Sequence, residues 1–251
     1  ELTNLEFRDA TAFLDVPFGT SLDVGIAAAG SSSVDDTLAN FVLPALPENS
    51  LNTVIAGGIL GDPDTPFDLY VNTSAQDASA DPAQVDFNVF HGSPDAPAVD
   101  VDARLAGNLI TNLAFGEYTS GYLGVDPALY YLDVRANGSP DIVQTFAADL
   151  NGLAGGAATV FASGLLGDTP NFGLFAALPD GTVVEFPASP VARVQVVHNS
   201  PEPTVDVYAN GGILIDDFEF RTATGFIFVP AEVDVELAVA PATSTSAGDA
   251  I

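Results

Sequence analysis

Apolar and polar residues alternate along this chain in short runs. The clearest are Leu22-Asp23-Val24-Gly25-Ile26-Ala27, Thr53-Val54-Ile55-Ala56, Phe67-Asp68-Leu69-Tyr70-Val71, Val85-Asp86-Phe87-Asn88-Val89-Phe90 and Ala192-Arg193-Val194-Gln195-Val196-Val197. A period of two puts every second side chain on one face, the pattern of a half-buried strand. No stretch sustains a helical period, and 18 Pro and 23 Gly fall between the runs. The expected fold class is all-β, built of antiparallel sandwiches.

The pattern also repeats. His91-Gly92-Ser93-Pro94-Asp95-Ala96-Pro97-Ala98-Val99-Asp100-Val101 returns, one residue shorter, as His198-Asn199-Ser200-Pro201-Glu202-Pro203-Thr204-Val205-Asp206-Val207. The two histidines lie 107 residues apart. Leu5-Glu6-Phe7-Arg8-Asp9-Ala10-Thr11-Ala12-Phe13 matches Phe218 to Phe226 without a gap at an offset of 213, close to twice that spacing. The middle stretch supplies Ile110-Thr111-Asn112-Leu113 for Leu2-Thr3-Asn4-Leu5, and Gly164-Leu165-Leu166-Gly167-Asp168 for Gly58-Ile59-Leu60-Gly61-Asp62. Three β modules are therefore expected. Residues 1–83 form a partial module lacking its first strands, 84–190 a complete one, and 191–251 a partial one lacking its last strands. Residues 72–84 read as a linker by composition.

Composition narrows the function classes. The chain of 251 residues carries 34 Asp and Glu against five Arg and no Lys, a net charge of −29. Such a surface repels nucleic acid and anionic lipid, so neither is an expected partner. Cys, Met and Trp are absent, which removes disulfides, thiol chemistry and Cys-type zinc sites. No run approaches the roughly 18 apolar residues of a membrane span, so no membrane insertion is expected. With Glu1 first and no basic, apolar leader, the chain reads as a mature, exported protein whose signal peptide has been removed, or as a fragment.

Candidate chemistry is sparse. His91 and His198 each precede a serine by two residues, but both sit in a repeated strand-end turn, so a fold role is expected over a nucleophilic pair. Asp62 to Asp68 and Asp95 to Asp102 offer carboxylates for calcium without the spacing of an EF-hand loop; the expectation is no cofactor, with calcium the one candidate. Asn72-Thr73-Ser74 and Asn137-Gly138-Ser139 fit the N-glycosylation pattern.

The His-x-Ser-Pro-Asp-Ala-Pro-x-Val-Asp-Val stretch, with Ala114-Phe115-Gly116 and Tyr130-Tyr131-Leu132-Asp133-Val134-Arg135, resembles the secreted bacterial and archaeal family called domain of unknown function forty-three ninety-seven. The third segment resembles its opening and the first only its later part. The resemblance implies tandem Ig-like sandwiches on exported or cell-surface proteins, and no catalytic residue. The complementary deficits of the end segments lead to the functional expectation: a homo-polymer, an extracellular filament or surface assembly joined head to tail by strand complementation, against pairing of the two part-modules within one chain or simple trimming of the termini. The expected joint residues are Val194, Val196, Val205, Val207, Phe220 and Phe226 of one subunit with Phe7 and Phe13 of the next. The alternative is a monomeric cell-surface adhesion module binding glycan, protein or calcium.

Overall fold

Strand alternation sets the architecture. The computed structural model describes residues 2–104, 106–231 and 234–251. Its strands are β1 (Leu22–Ala27), β2 (Thr37–Leu43), β3 (Thr53–Gly57), β4 (Asp68–Asn72), β5 (Val85–His91), β6 (Val99–Ala103), β7 (Gly107–Leu113), β8 (Leu123–Val125) and β9 (Leu129–Ala136). They continue as β10 (Ile142–Asp149), β11 (Ala157–Ser163), β12 (Gly173–Ala177), β13 (Val183–Phe186), β14 (Val191–Val194), β15 (Val205–Ala209), β16 (Gly212–Phe218), β17 (Ile227–Pro230) and β18 (Leu237–Pro241). The chain is all-β. Among the described residues the only helical pieces are two three-residue turns, and no helix is long and apolar enough to cross a membrane.

Strands β5 to β13 make two facing sheets, ordered β10-β9-β6-β7 and β13-β12-β11-β5-β8. Val99, Val101, Ala103, Leu132, Val134 and Phe146 of the first sheet meet Val89, Val160, Leu174 and Ala176 of the second. At roughly 1.5–3 kcal/mol for each fully buried Val, Leu or Phe, this core carries the sandwich. One ladder departs from the expected antiparallel pattern: β5 and β11 run parallel, with Asp86 opposite Ala157 and His91 opposite Ala162. A parallel pair needs a long connection, and here it contains the whole four-stranded sheet together with β8.

The end segments repeat parts of this pairing. Hairpins β1-β2 and β3-β4 correspond to β9-β10 and β11-β12. Strand β15 lies between β16 and β18 as β6 lies between β7 and β9, and β14 pairs β17 as β5 pairs β8. Backbone conformation supports the correspondence independently. Asn4, Asn112 and Asp217 have φ of 57°, 56° and 49°, while Arg8, Gly116 and Arg221 have 71°, 81° and 63°. Positive φ is uncommon outside glycine, so its recurrence at two matched positions in three segments reflects one shared turn.

The first segment covers the outer face of the five-stranded sheet. Thr53 Oγ1 lies 3.3 Å from Thr159 Oγ1, Asn72 Nδ2 donates to Asn88 Oδ1 at 3.2 Å, and Tyr70 packs on Phe90 at 5.1 Å between centroids. Arg8 donates to the carbonyls of Ser163 (3.2 Å) and Asn171 (2.6 Å), with its guanidinium 4.1 Å above the Phe175 ring. Residues 72–84, linker-like in composition, are tied down: Gln76 N donates to Tyr122 Oη (2.9 Å), Ser79 N to Gly155 O (2.9 Å) and Ala80 N to Asp86 Oδ2 (3.0 Å).

Candidate assembly interface

The His-x-Ser-Pro stretch is a clasp. His91 is buried; its Nε2 lies 3.0 Å from Pro97 O, and its Nδ1 accepts from Ser93 N at 3.4 Å. His198 repeats both contacts, at 3.0 Å to Pro203 O and 3.3 Å from Ser200 N. One neutral tautomer, protonated on Nε2, satisfies both rings. Burial pushes the His91 pKa below its ordinary value, partly opposed by the Pro97 carbonyl. The Ser93 hydroxyl turns away from the imidazole and donates to Gly164 O at 2.7 Å. Here the histidine orders the turn; it does not face the serine oxygen.

Each His strand is gripped by a second turn. Gly116 N donates to His91 O (2.8 Å), His91 N to Glu117 O (3.0 Å) and Thr119 N to Val89 O (2.8 Å). The third segment repeats the grip: Arg221 N to His198 O (2.8 Å), His198 N to Thr222 O (3.0 Å) and Thr224 N to Val196 O (2.9 Å). In the first segment the turn is already folded. Asp9 N donates to Glu6 O at 3.1 Å and Glu6 N to Asp9 Oδ2 at 2.9 Å, matching Glu117 N to Ala114 O and Ala114 N to Glu117 Oε2. No His strand lies in it among the described residues.

The apolar faces report the same deficit. Val54 and Ala56 match Val160 and Ala162, which face the middle core, yet both are exposed. Phe7 is 61% exposed, whereas its counterpart Phe115 is half-buried, edge-on to His91. Phe13, Leu14, Val16, Phe18, Leu38 and Val42 are exposed as well. In the third segment Val205 and Val207 pack with Phe218, and Val196 joins them. Beside them a groove of about 370 Å³ has one wall of Val196, Val205, Val207, Phe218, Val239 and Ile251 and another of the His198–Pro203 clasp, including Ser200 and Glu202.

The joint residues expected from sequence therefore divide. Phe7, Phe13, Phe226 and Val194 are exposed; Phe220 is half-buried beneath Arg221; Val205 and Val207 fill their own small core. Val197, Leu237 and Val239 are exposed too and were missed. The alternation of 192–197 placed Val197 on the face opposite Val196, but only the absence of a covering segment leaves it bare.

Carboxylates near both clasps serve the backbone. Asp100 accepts from Gly138 N (3.0 Å), Asn137 Nδ2 (2.9 Å) and Asn112 N (2.8 Å), which hold its pKa below the usual range. Asp206 accepts from Ser244 Oγ and from Asp217 N, to the same effect. Of the stretches weighed for calcium, Asp62 caps Asp64 N and Thr65 N, and Asp95 accepts from Leu166 N. Among the described residues the convergence that does occur is Asp206 with Asp216 and Asp217, ligand atoms within 4.8 Å of one another; Asp217 and Asp206 push the Asp216 pKa up. Compared with protein-family models, curated proteins and solved structures, the chain finds no match in any of the three.

Proposed function

We propose that this protein is a structural subunit of an extracellular or surface assembly, in which the third segment of one copy completes the first segment of the next. The observation that carries this reading is complementarity. The first segment holds counterparts of β9 to β12 and the turn that grips a His strand; the third holds counterparts of β5 and β6, which are not found in the first among the described residues. Unpaired edges and bare apolar faces are costly in water and act as templates for strand addition. A contact between two different surfaces of the same chain is heterologous, so it propagates unless it closes a ring.

Sizing of the purified protein across a concentration series, with negative-stain imaging of the largest species, tests the reading. Regular polymers or rings at micromolar concentration are expected. A monodisperse monomer throughout would overturn it and favour a monomeric adhesion module.

A further inference from the structure

Resting on that reading, we infer that the joint is one particular strand in one register: residues 195–200 of one copy dock between β3 and the Glu6–Thr11 turn of a second copy, and β3 accepts them in parallel. The middle sandwich supplies the template. There β5 lies between β11 and the turn at 116–119, with Val89 opposite Val160, Phe90 opposite Phe161 and His91 opposite Ala162. Thr53-Val54-Ile55-Ala56 aligns with Thr159-Val160-Phe161-Ala162, and Val196-Val197-His198 with Val89-Phe90-His91. The joint therefore sets Val196 opposite Val54, Val197 opposite Ile55 and His198 opposite Ala56. It runs parallel because the template runs parallel.

At both half-sites the template's bonds are redirected or not made among the described residues. Ser93 is wholly buried and donates to Gly164 O, whereas its counterpart Ser200 is exposed and turns back to Glu202 O at 3.2 Å. The counterpart of Gly164 is Gly58, in the same turn with φ of 88° against 89°. Gly92 N donates to Ala162 O at 3.1 Å; the equivalent pair is Asn199 N with Ala56 O. The bare Phe7 ring stands where Phe115 meets His91, ready for His198.

One feature makes this an exchange and not a simple addition. The atoms that Arg8, Asp9 and Thr11 would bond are those that Arg221, Thr222 and Thr224 hold in the free chain. The two turns cannot occupy one edge together. Strand β18 corresponds to β1, and β16 to β18 hold the place until the second copy displaces them.

The chain has no native cysteine, so introduced pairs report cleanly. The double variant Ile55→Cys/Val197→Cys should form, on mild oxidation, a ladder of covalent oligomers at multiples of the chain mass. The off-register pair Ile55→Cys/Val194→Cys should not, and each single variant should stop at dimer. Polymers by native sizing without an in-register cross-link would overturn this joint while leaving the assembly reading intact. A cross-link confined to monomer mass would place the contact within one chain and overturn the second copy. Absence of polymers from the unmodified protein would overturn both. A second measurement does not depend on a refolded variant: a synthetic peptide of residues 191–203, added in excess to the unmodified protein, should cap the acceptor and shorten the polymers, and a scrambled peptide should not. Ser200→Ala, which removes from the free chain only an exposed hydroxyl and its local bond to Glu202 O, should weaken assembly roughly two- to tenfold with monomer melting little changed; unchanged assembly would count against the predicted Ser200 to Gly58 bond.

Discussion

At the scale of single residues, buried polar groups fix the conformation that the apolar core only permits. His91 must stay neutral, because its Nδ1 already accepts from Ser93 N. Its pKa is lowered in the fold, so its contribution to stability is complete above its ordinary pKa of about 6.5 and is lost as pH falls through the lower folded value. Denaturant midpoints measured at pH 7.5 and pH 5 should fall for the native protein, and His91→Asn should flatten that difference while lowering both values. An unchanged pH difference in the variant would assign the acid sensitivity elsewhere. A second case is the Arg104–Asp133 pair, where Asp133 also accepts from Thr145 Oγ1 at 2.7 Å and both side chains are nearly inaccessible. Breaking a buried pair strands one charge, so Asp133→Ala should cost about 3–5 kcal/mol. The double change Arg104→Met/Asp133→Ala removes both charges and should recover most of that loss in the same denaturation assay. Equal losses in the two variants would contradict the stranded-charge account.

At the scale of elements, alternation in the sequence located most strands because it reports a local property. The run Leu22–Ala27 is β1, and Thr182-Val183-Val184-Glu185-Phe186 contains β13. The parallel β5–β11 ladder was not readable, since its partners lie far apart in sequence and parallel register leaves no mark on either strand alone. Nor was the anchoring of the first segment, which hangs on side chains such as Arg8 and Thr53 meeting an outer sheet face whose Asn88 and Thr159 look like ordinary solvent-side residues. The interface residues were half readable for the same reason. Repeats revealed which strands each end segment contains, while exposure of Val197 or burial of Val205 depends on what covers them. Because the first segment's side-chain hydrogen bonds are internal or reach the middle sandwich, a chain ending at Pro190 should stay folded. Lacking the donor strand, it should elute as a monomer at every concentration, checked by size-exclusion with light scattering. Ordered polymers from that shortened chain would sink the joint.

At the scale of the whole molecule, charge opposes the assembly that the open edges favour. Every subunit brings a net charge of −29, so each addition to a polymer adds like charge to like charge. The side chains that face one another across the joint are mostly apolar, with Val196 and Val197 meeting Val54, Ile55, Ala56 and Phe7, while Glu6, Arg8 and Asp9 sit in the acceptor turn at its edge. Repulsion is therefore long-range while attraction is short-range, and salt separates the two. The screening length falls from about 30 Å at 0.01 M to about 3 Å at 1 M ionic strength, so salt removes the repulsion and leaves hydrogen bonds and apolar contacts in place. The critical concentration for assembly, followed by light scattering, should fall steadily between those limits, and sodium and magnesium chlorides should superimpose approximately when plotted against ionic strength. Assembly that weakens with salt would mean that ion pairs hold the joint. Assembly triggered by micromolar calcium, far below any screening effect, would instead point to ligation at Asp206, Asp216 and Asp217, where three carboxylates already converge; Asp216→Asn should then abolish the trigger and leave the sodium chloride curve unmoved.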